Sequence, residues 1–229
     1  MFLDTDSNKI KWKRLFIATV IVCAIIIAGI LWFDAPLYMA IRHADWNGWQ
    51  IIGRIFSGYV WIATGAIFLG AFYVKKCITT PPRIRNNQNR ISPIVFINDV
   101  LQKIRGSYVF YIFCSCLGAG IVAKVIKTVV GRFRPVFFEA LDLTGFHPLS
   151  TEWAFNSMPS GHTTVSFAGL VMIGLLAPRY KWLTWGLAVI IGFSRVAAGF
   201  HWPTDVILGA FIGMVAADIT RATFAKINA

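Results

Sequence analysis

The run LFIATVIVCAIIIAGILWF occupies residues 15–33 and contains 19 consecutive residues without a charge. The hydrocarbon core of a bilayer is about 30 Å thick, and roughly 20 helical residues cross it. The run is too long for the apolar region of a signal peptide, and no small-residue cleavage site accompanies it. The sequence therefore predicts a first transmembrane helix that is retained in the protein.

Five further apolar runs follow along the chain, at residues 59–74, 107–123, 163–177, 182–193 and 206–217, and the last three are short. The chain is 57% hydrophobic and 14% charged, with a mean hydropathy of +0.65, which is far more apolar than an average soluble domain. We therefore predict an all-α fold, an integral membrane bundle of six transmembrane helices. Residues 1–229 form one domain in this interpretation, with its motif-bearing core at about 107–217.

The distribution of basic residues indicates the orientation of the bundle. If the N-terminus is cytoplasmic, the inner side collects 15 of the 22 Lys and Arg residues, in segments 9–14, 75–105, 179–181 and 221–226. This asymmetry satisfies the positive-inside rule and makes both termini cytoplasmic. It also explains the net charge of +12 without nucleic acid, so no nucleic-acid partner is predicted.

The four cysteines give no sign of a disulfide framework or a metal site. All of them lie in apolar context, and a helix would point Cys114 and Cys116 in different directions. We interpret the set as packing residues: Cys23, Cys77, Cys114 and Cys116.

The tetrapeptide Pro159-Ser160-Gly161-His162 directly precedes the fourth apolar run. A helix N-terminus has unpaired N–H groups and the positive end of the helix dipole, so it binds anions readily. Gly161 allows the backbone to approach an oxyanion closely, and Ser160 can donate its hydroxyl. A serine that simply caps the helix explains the same tetrapeptide if it is considered alone.

Lys127 and Arg134 are seven residues apart, and Gly131 and Pro135 predict that the third helix ends between them. Two such cations can anchor a helix at the lipid headgroups by snorkelling. Here, however, both lie on the predicted outer side, against the positive-inside trend, and this favours a functional role.

The third cluster comprises Arg195, His201 and Asp205, at the start of the last apolar run. Pro203 is favoured in a first helical turn, so the sixth helix is predicted to begin there, with His201 and Asp205 near one face. A carboxylate that holds Nδ1–H leaves Nε2 free as a nucleophile, and Arg195 offers a planar fork for two phosphate oxygens. A purely structural His–Asp pair remains the alternative for these two residues alone.

The three clusters read K-x6-RP, PSGH and SR-x5-H-x3-D, in that order. In this respect the chain resembles the type 2 phosphatidic acid phosphatase family of integral membrane lipid phosphatases. The Gly-Arg-x-Arg-Pro form of the first motif is similar to that of bacterial lipid A phosphatases. The resemblance covers residues 127–205 in detail. It implies a multi-pass lipid phosphatase in the bacterial inner (cytoplasmic) membrane, with its active site facing the periplasm.

The resemblance also implies a role for each motif residue. His201 attacks phosphorus to form a phosphohistidine, Asp205 orients His201, and His162 protonates the leaving oxygen and then activates water. The substrate phosphate is held by Lys127, Arg134, Ser160, Gly161 and Arg195. Three cations can stabilise phosphoryl transfer without a metal, and no carboxylate cluster suitable for Mg²⁺ lies near the motifs. Neither a metal nor a cofactor is expected.

The expected partners are a phosphorylated membrane lipid and the bilayer itself, with no obligate protein partner. Candidate substrates within the family are lipid A, undecaprenyl diphosphate, phosphatidylglycerophosphate and phosphatidic acid. A lipid phosphotransferase that uses the same intermediate is the main alternative, and release of free phosphate separates the two. A non-enzymatic lipid-binding or transport protein is a third class, but it would not need His162, His201 and Asp205 together.

Three connecting segments complete the prediction. Residues 34–58 are expected to form an interfacial amphipathic segment with Tyr38, Trp46 and Trp49, which either lies beside the outer site or is a purely structural belt. Residues 75–106 form a polar cytoplasmic loop, and residues 135–158 a periplasmic loop. Aromatic residues in and around this second loop are predicted to line the approach of the lipid chains: Phe133, Phe137, Phe138, Phe146, Trp153, Phe155 and Trp202.

Overall fold

The computed structural model describes residues 9–42, 47–79 and 106–227, together with residues 2, 102 and 104. This part of the chain is built from helices and turns, contains no β-strand, and has an isolated backbone bridge between Arg132 and Phe146. The all-α prediction is thereby confirmed. Trp46 and most of the predicted 75–106 loop lie outside the described residues.

The N-terminal part of the bundle is made of two long helical stretches. Helix α1 (Trp12–Ala28) passes through a π-helical turn (Gly29–Phe33) directly into α2 (Asp34–Arg42). A short helix α3 (Gly48–Ile55) is followed at once by α4 (Gly58–Thr79).

Five further helices form the C-terminal part and carry the sequence motifs. They are α5 (Tyr108–Val130), the short α6 (Pro135–Leu141), α7 (Gly161–Leu176), α8 (Lys181–Ala197) and α9 (Pro203–Ile227). Helix α9 begins at Pro203, as its sequence predicted.

Four helical stretches in the described residues are long and apolar enough to cross a membrane: Trp12–Arg42, Gly48–Thr79, Tyr108–Val130 and Pro203–Phe224. Helices α7 and α8 have 16 and 17 residues. At a rise of 1.5 Å per residue they are roughly 25 Å long, somewhat shorter than a bilayer core. All six predicted apolar runs therefore fall in helices, whereas six complete crossings stay a prediction.

The last helix extends well beyond the apolar run that predicted it. That run ends at Ala217, and the next residue, Asp218, is only 1% exposed, with a carboxylate that accepts a hydrogen bond of 2.7 Å from the Phe2 backbone N–H. Because this carboxylate is buried and hydrogen-bonded, the helix continues through it to Ile227.

Helix α7 lies at the centre of the bundle and packs against α5, α8 and α9. Gly209 and Gly213, in a GxxxG spacing on α9, lie against the backbones of Ser160 and Thr164 on α7. Small residues at this spacing allow two helix backbones to approach closely, which is the usual way that membrane helices associate.

The motif-bearing ends of four helices meet at one end of the bundle, where hydrogen bonds and a shared pocket connect them. These are the C-terminal ends of α5 and α8 and the N-terminal ends of α7 and α9, with Asp34 of α2 beside them. Gly131, in the left-handed region with φ of +61°, ends α5, and its N–H donates to the Lys127 carbonyl. Lys127 thus stays on the helix while Arg134 lies beyond it, as predicted.

Candidate active site

Lys127 lies in the last turn of α5, where backbone carbonyls hold its ammonium group. Nζ donates to the carbonyls of Asn156 at 2.7 Å and Ser157 at 3.1 Å. An ammonium has three donors, and these bonds use two of them. The Lys127 Cε also lies 3.7 Å from the position that a Cβ on Gly161 would occupy. The lysine is therefore fixed beside the N-terminus of α7.

Arg134, just before α6, is buried and held by three backbone carbonyls. It donates to Trp153 (Nε, 2.8 Å), Phe200 (Nη1, 3.0 Å) and Asn156 (Nη2, 3.2 Å). Burial lowers the pKa of Arg134 to about 10, and the nearby Asp205 carboxylate opposes this shift. The guanidinium stays charged at neutral pH, and three of its five N–H groups fix its position.

Ser160 and Gly161 form the N-terminus of α7. The Ser160 hydroxyl is buried and accepts a hydrogen bond of 2.9 Å from Thr163 Oγ1, and it does not cap the N–H groups of the first turn. The alternative that Ser160 simply caps helix α7 is therefore not supported by the structure. The Ser160 N–H donates to the Asp205 carbonyl at 2.9 Å, which ties the start of α7 to α9.

His162 and Arg195 line one open pocket, whose other lining residues are Gln50, Gly53, Arg54, Ser57 and Phe200. Arg195 is only 6% exposed, and its guanidinium carbon lies 4.5 Å from the centroid of the Phe200 ring. Its Nε has no hydrogen-bond partner among the described residues. The pocket thus holds a buried cation with an unused donor beside an imidazole.

His201 and Asp205 are both buried, at 2% and 0% exposure. His201 Nδ1 lies 3.6 Å from Asp205 Oδ2, which is beyond hydrogen-bond distance, and it has no other partner in the described part of the chain. Burial lowers the pKa of His201 well below its ordinary value, and the charges of Arg134, Lys127 and Arg195 add to this effect. The ring is therefore neutral at physiological pH.

The Asp205 carboxylate is held by donors other than His201. Oδ2 accepts from the Ser157 hydroxyl at 2.5 Å and the Trp202 N–H at 2.9 Å, while Oδ1 accepts from Arg132 Nη1 at 2.8 Å. These contacts fix the carboxylate beside the imidazole.

Arg132, Asp34 and Ser157 are site residues that the sequence interpretation missed. Arg132 Nη2 lies 2.6 Å from Asp34 Oδ2, and all three side chains are buried. Asp34 also accepts from the N–H and the hydroxyl of Thr204. Asp34 did carry a signal, since it is a lone carboxylate at the edge of the first apolar run. Ser157 carried none.

The aromatic residues around the loop divide into two groups. Trp202 is 1% exposed, packs on Tyr38 and Phe138, and donates from Nε1 to the Phe133 carbonyl at 2.9 Å. Trp202 and the buried Tyr38 are therefore core residues, which corrects the prediction that Trp202 lines a lipid path and that Tyr38 is interfacial. Phe146 and Trp153 are exposed.

Within the described residues, no three His, Cys, Asp or Glu side chains are grouped so that they could hold a metal ion. No disulfide joins the four cysteines, and their interpretation as packing residues fits the buried Cys116 but not Cys23, which is exposed on the bundle.

With this geometry in view, residues 108–228 match the family model described as the PAP2 superfamily, and this is more than half of the chain. The chain belongs to the PAP2 superfamily. The match covers α5 to α9 and every predicted site residue, so the resemblance inferred from the three motifs is confirmed. The PAP2 region excludes α1 to α4, which nevertheless contribute Asp34 and the α3 wall of the pocket.

Relatives of this PAP2 chain include proteins named for two different lipid phosphatase activities. The lipid A 1-phosphatase of Rhizobium johnstonii is 36% identical over 116 residues, 51% of this chain and 48% of that protein. The undecaprenyl-diphosphatase of Sulfolobus acidocaldarius is 34% identical over 95 residues, 41% of this chain and 44% of that protein. This chain thus spans about half the length of the curated relatives it matches.

Among solved structures, the crystal structure of Aquifex aeolicus LpxE is similar to this PAP2 chain, with a TM-score of 0.47 and 21% identity. The similarity covers 82% of this chain and 94% of that one.

Proposed function

We propose that this protein is a membrane lipid phosphatase that hydrolyses a phosphate monoester or diphosphate of a lipid through a phosphohistidine on His201, without a metal. The observation that carries the proposal is the buried His201 imidazole beside the buried Asp205 carboxylate, at the end of the bundle where Lys127, Arg134 and Arg195 also lie. A neutral ring retains the lone pair that attacks phosphorus, and fixed cations stabilise the charge of the transferring phosphoryl group.

In the first step, His201 Nε2 forms a bond to phosphorus while the bond from phosphorus to the leaving oxygen breaks. His162, in the adjacent pocket, protonates that oxygen as it departs. The phosphoryl oxygens are held by the donors that Lys127 and Arg134 do not use on carbonyls, by Arg195, and by Ser160 with the Gly161 N–H. Because backbone carbonyls already fix Lys127 and Arg134, little reorganisation of these cations is needed during the reaction.

Formation of the phosphohistidine places a positive charge on the imidazole ring. Asp205 Oδ2, at 3.6 Å from Nδ1, is positioned to stabilise that charge and to accept a hydrogen bond from Nδ1–H. Catalytic hydrogen bonds are often long without substrate and tighten in the complex. Arg132 and Ser157 act as positioning residues in this scheme, since they hold the carboxylate and do not touch the substrate.

In the second step, His162 takes a proton from water, which attacks phosphorus and breaks the phosphorus–nitrogen bond. Phosphate leaves and His201 returns to its neutral form. A lipid hydroxyl in place of water would make the protein a phosphotransferase with the same intermediate.

The proposed setting is the bacterial inner membrane, with six crossings, both termini cytoplasmic and the site facing the periplasm. The asymmetry of basic residues supports this orientation. The seven basic residues outside the predicted inner segments are Arg42, Arg54, Lys124, Lys127, Arg132, Arg134 and Arg195. Six of these seven lie at the site end of the bundle, and Lys124 is one turn below it.

The substrate is proposed to be a lipid whose phosphate projects from the outer leaflet. Lipid A and undecaprenyl diphosphate are supported by the names of two relatives, and phosphatidylglycerophosphate and phosphatidic acid remain in the set. Such a lipid is the proposed partner, together with the bilayer, and no protein partner is proposed.

The test is a panel of these four lipids in detergent micelles, scored for release of free phosphate. We expect phosphate release from at least one lipid, loss of release in His201→Ala, survival in EDTA, and inhibition by vanadate, which mimics the transferring phosphoryl group. Retention of more than about a tenth of the rate in His201→Ala would contradict the nucleophile assignment, because that is under 1.4 kcal/mol of barrier. Phosphorylated lipid without free phosphate would instead identify a phosphotransferase.

A further inference from the structure

Helix α3 forms one wall of the pocket that contains His162 and Arg195. Four residues of α3 and its C-terminal end line this wall: Gln50, Gly53, Arg54 and Ser57. None of them belongs to the three motifs, and α3 lies outside the part of the chain that matches the PAP2 family.

The sides of α3 differ in chemistry. Gln50 and Arg54 are four residues apart and share one side of α3, while Ser57 follows the end of the helix and lines the same pocket. Ile51 and Ile55 on another side are exposed, as lipid-facing residues would be. Ile52 packs on the core around Ile191, and Trp49 packs edge-on against Phe193 of α8. The polar side is therefore directed into the pocket.

Close packing brings the polar side of α3 against the phosphate-binding cation. A Cβ on Gly53 would lie only 1.9 Å from Arg195 Nη1, so the guanidinium occupies the space above the glycine. Arg54 is the next residue along the chain and lines the same pocket as His162. Among the described residues, Arg54 has no carboxylate partner within ion-pair distance, and its charge is exposed to the pocket.

Building on the proposed phosphatase function, we propose that Gln50, Arg54 and Ser57 form a leaving-group subsite, in which Arg54 binds a second anionic group of the substrate. The leaving oxygen must depart beside the general acid, and His162 lines this pocket together with Arg54. The part of the substrate that remains bonded to that oxygen therefore enters the pocket. A cation at its wall favours a leaving group that is itself a phosphate over an uncharged one.

A lipid diphosphate is cleaved with its lipid monophosphate part bound in this subsite. His201 Nε2 bonds to the terminal phosphorus, the bond to the bridging oxygen breaks, and its electron pair stays on the departing lipid monophosphate. The oxygen of this leaving group takes a proton from His162, and in the second step His162 takes a proton back from water. Arg54 stabilises the charge that grows on this leaving group. Water then cleaves the phosphorus–nitrogen bond and releases inorganic phosphate.

The test compares geranylgeranyl diphosphate with geranylgeranyl monophosphate, which share one chain and differ by a single phosphate. The readout is the ratio of their kcat/KM values in detergent micelles. We expect Arg54→Gln to lower the ratio of diphosphate to monophosphate at least tenfold, and Arg54→Lys to restore most of it. Arg179→Gln removes a cation from the opposite end of the bundle and should leave the ratio unchanged.

An unchanged ratio in Arg54→Gln overturns the subsite, as does a wild-type protein that turns over only the monophosphate. If the wild type hydrolyses neither compound, the panel of four lipids still decides the proposed function, and binding decides the subsite. Calorimetry with a methylene-bridged diphosphonate of the same lipid measures that binding without turnover. A loss of affinity of at least tenfold in Arg54→Gln supports the subsite, and equal affinity in the two proteins overturns it.

Discussion

Arg132 and Asp34 form a buried ion pair, with 2.6 Å between Nη2 and Oδ2. Asp34 is the first residue of α2, within the first helical stretch, and lies 98 residues before its partner. The other arm of Arg132 donates to Asp205 at 2.8 Å. One guanidinium therefore connects the N-terminal helix to the carboxylate beside the proposed nucleophile.

Arg132→Gln is predicted to destabilise the protein strongly. The substitution leaves the buried Asp34 carboxylate without its charge partner, and removing one member of a buried pair typically costs about 3–5 kcal/mol. We expect a clear fall in the midpoint of thermal unfolding in detergent, followed by tryptophan fluorescence. The double variant with Asp34→Asn should lose less than the sum of the two single variants.

Arg42→Gln is the matched control for that experiment. It removes an arginine whose contact with Glu139, at 3.1 Å, is about one-third exposed, and such pairs contribute at most about 1 kcal/mol. Equal destabilisation by Arg132→Gln and Arg42→Gln would show that the buried pair is not structurally important.

Gly53→Ala is predicted to lower activity with little effect on stability. The new Cβ would meet only the end of the Arg195 side chain, which can move aside. The Arg195 guanidinium would then leave its place in the pocket. We expect kcat/KM to fall at least tenfold while the unfolding midpoint changes little. Gly70→Ala on α4, where a Cβ meets nothing within 4 Å, is the control and should leave kcat/KM unaltered. Normal activity of Gly53→Ala would mean that the position of Arg195 is not critical.

His201 is predicted to stay neutral well below pH 6.5, because burial and three nearby cations lower its pKa. Nitrogen-15 NMR of labelled histidine measures this directly, and the chain has only four histidines, which single substitutions can assign. A His201 resonance that titrates at pH 6.5 or above would contradict the electrostatic argument.

The same shift has a consequence for stability. An unfolded histidine takes up its proton near pH 6.5, whereas folded His201 does not, so the unfolded chain binds more protons below that pH. Stability should therefore fall as the pH drops below about 6.5, and His201→Asn should reduce this dependence.

The orientation of the bundle can be tested with two single cysteines in a background without the native ones. Thr144→Cys, exposed in the loop between α6 and α7, should react with an impermeant reagent in spheroplasts. Arg179→Cys, exposed at the opposite end, should react only in broken cells. The reverse pattern would place the site in the cytoplasm and require a substrate from the inner leaflet.

Much of the fold and the site could be predicted because their signals are local. An uncharged run of 19 residues, or a motif such as Pro159-Ser160-Gly161-His162, is contained in one segment of chain. The helix end at Gly131 and the helix start at Pro203 likewise depend on single residues with strong conformational preferences.

The rest depends on contacts between distant segments. Arg132 was recognised only as part of the Gly-Arg-x-Arg-Pro form of the first motif, because nothing local shows that its partners are Asp34 and Asp205. Its partner Asp34 lies on another helix, and the closeness of Gly53 to Arg195 joins two helices about 140 residues apart. The last apolar run was predicted to end before Asp218, because the sequence does not show that this carboxylate is buried and bonded to Phe2.

The most direct test of a phosphohistidine on His201 is rapid-quench trapping of the enzyme during turnover of a lipid labelled with ³²P at the scissile phosphate. We expect a covalent label that is stable in alkali and labile in acid, as a phosphohistidine is, that maps to the peptide containing His201 and that is absent in His201→Ala. A label on a different residue, or full turnover by the wild type and by His201→Ala with no covalent label in either, would contradict it.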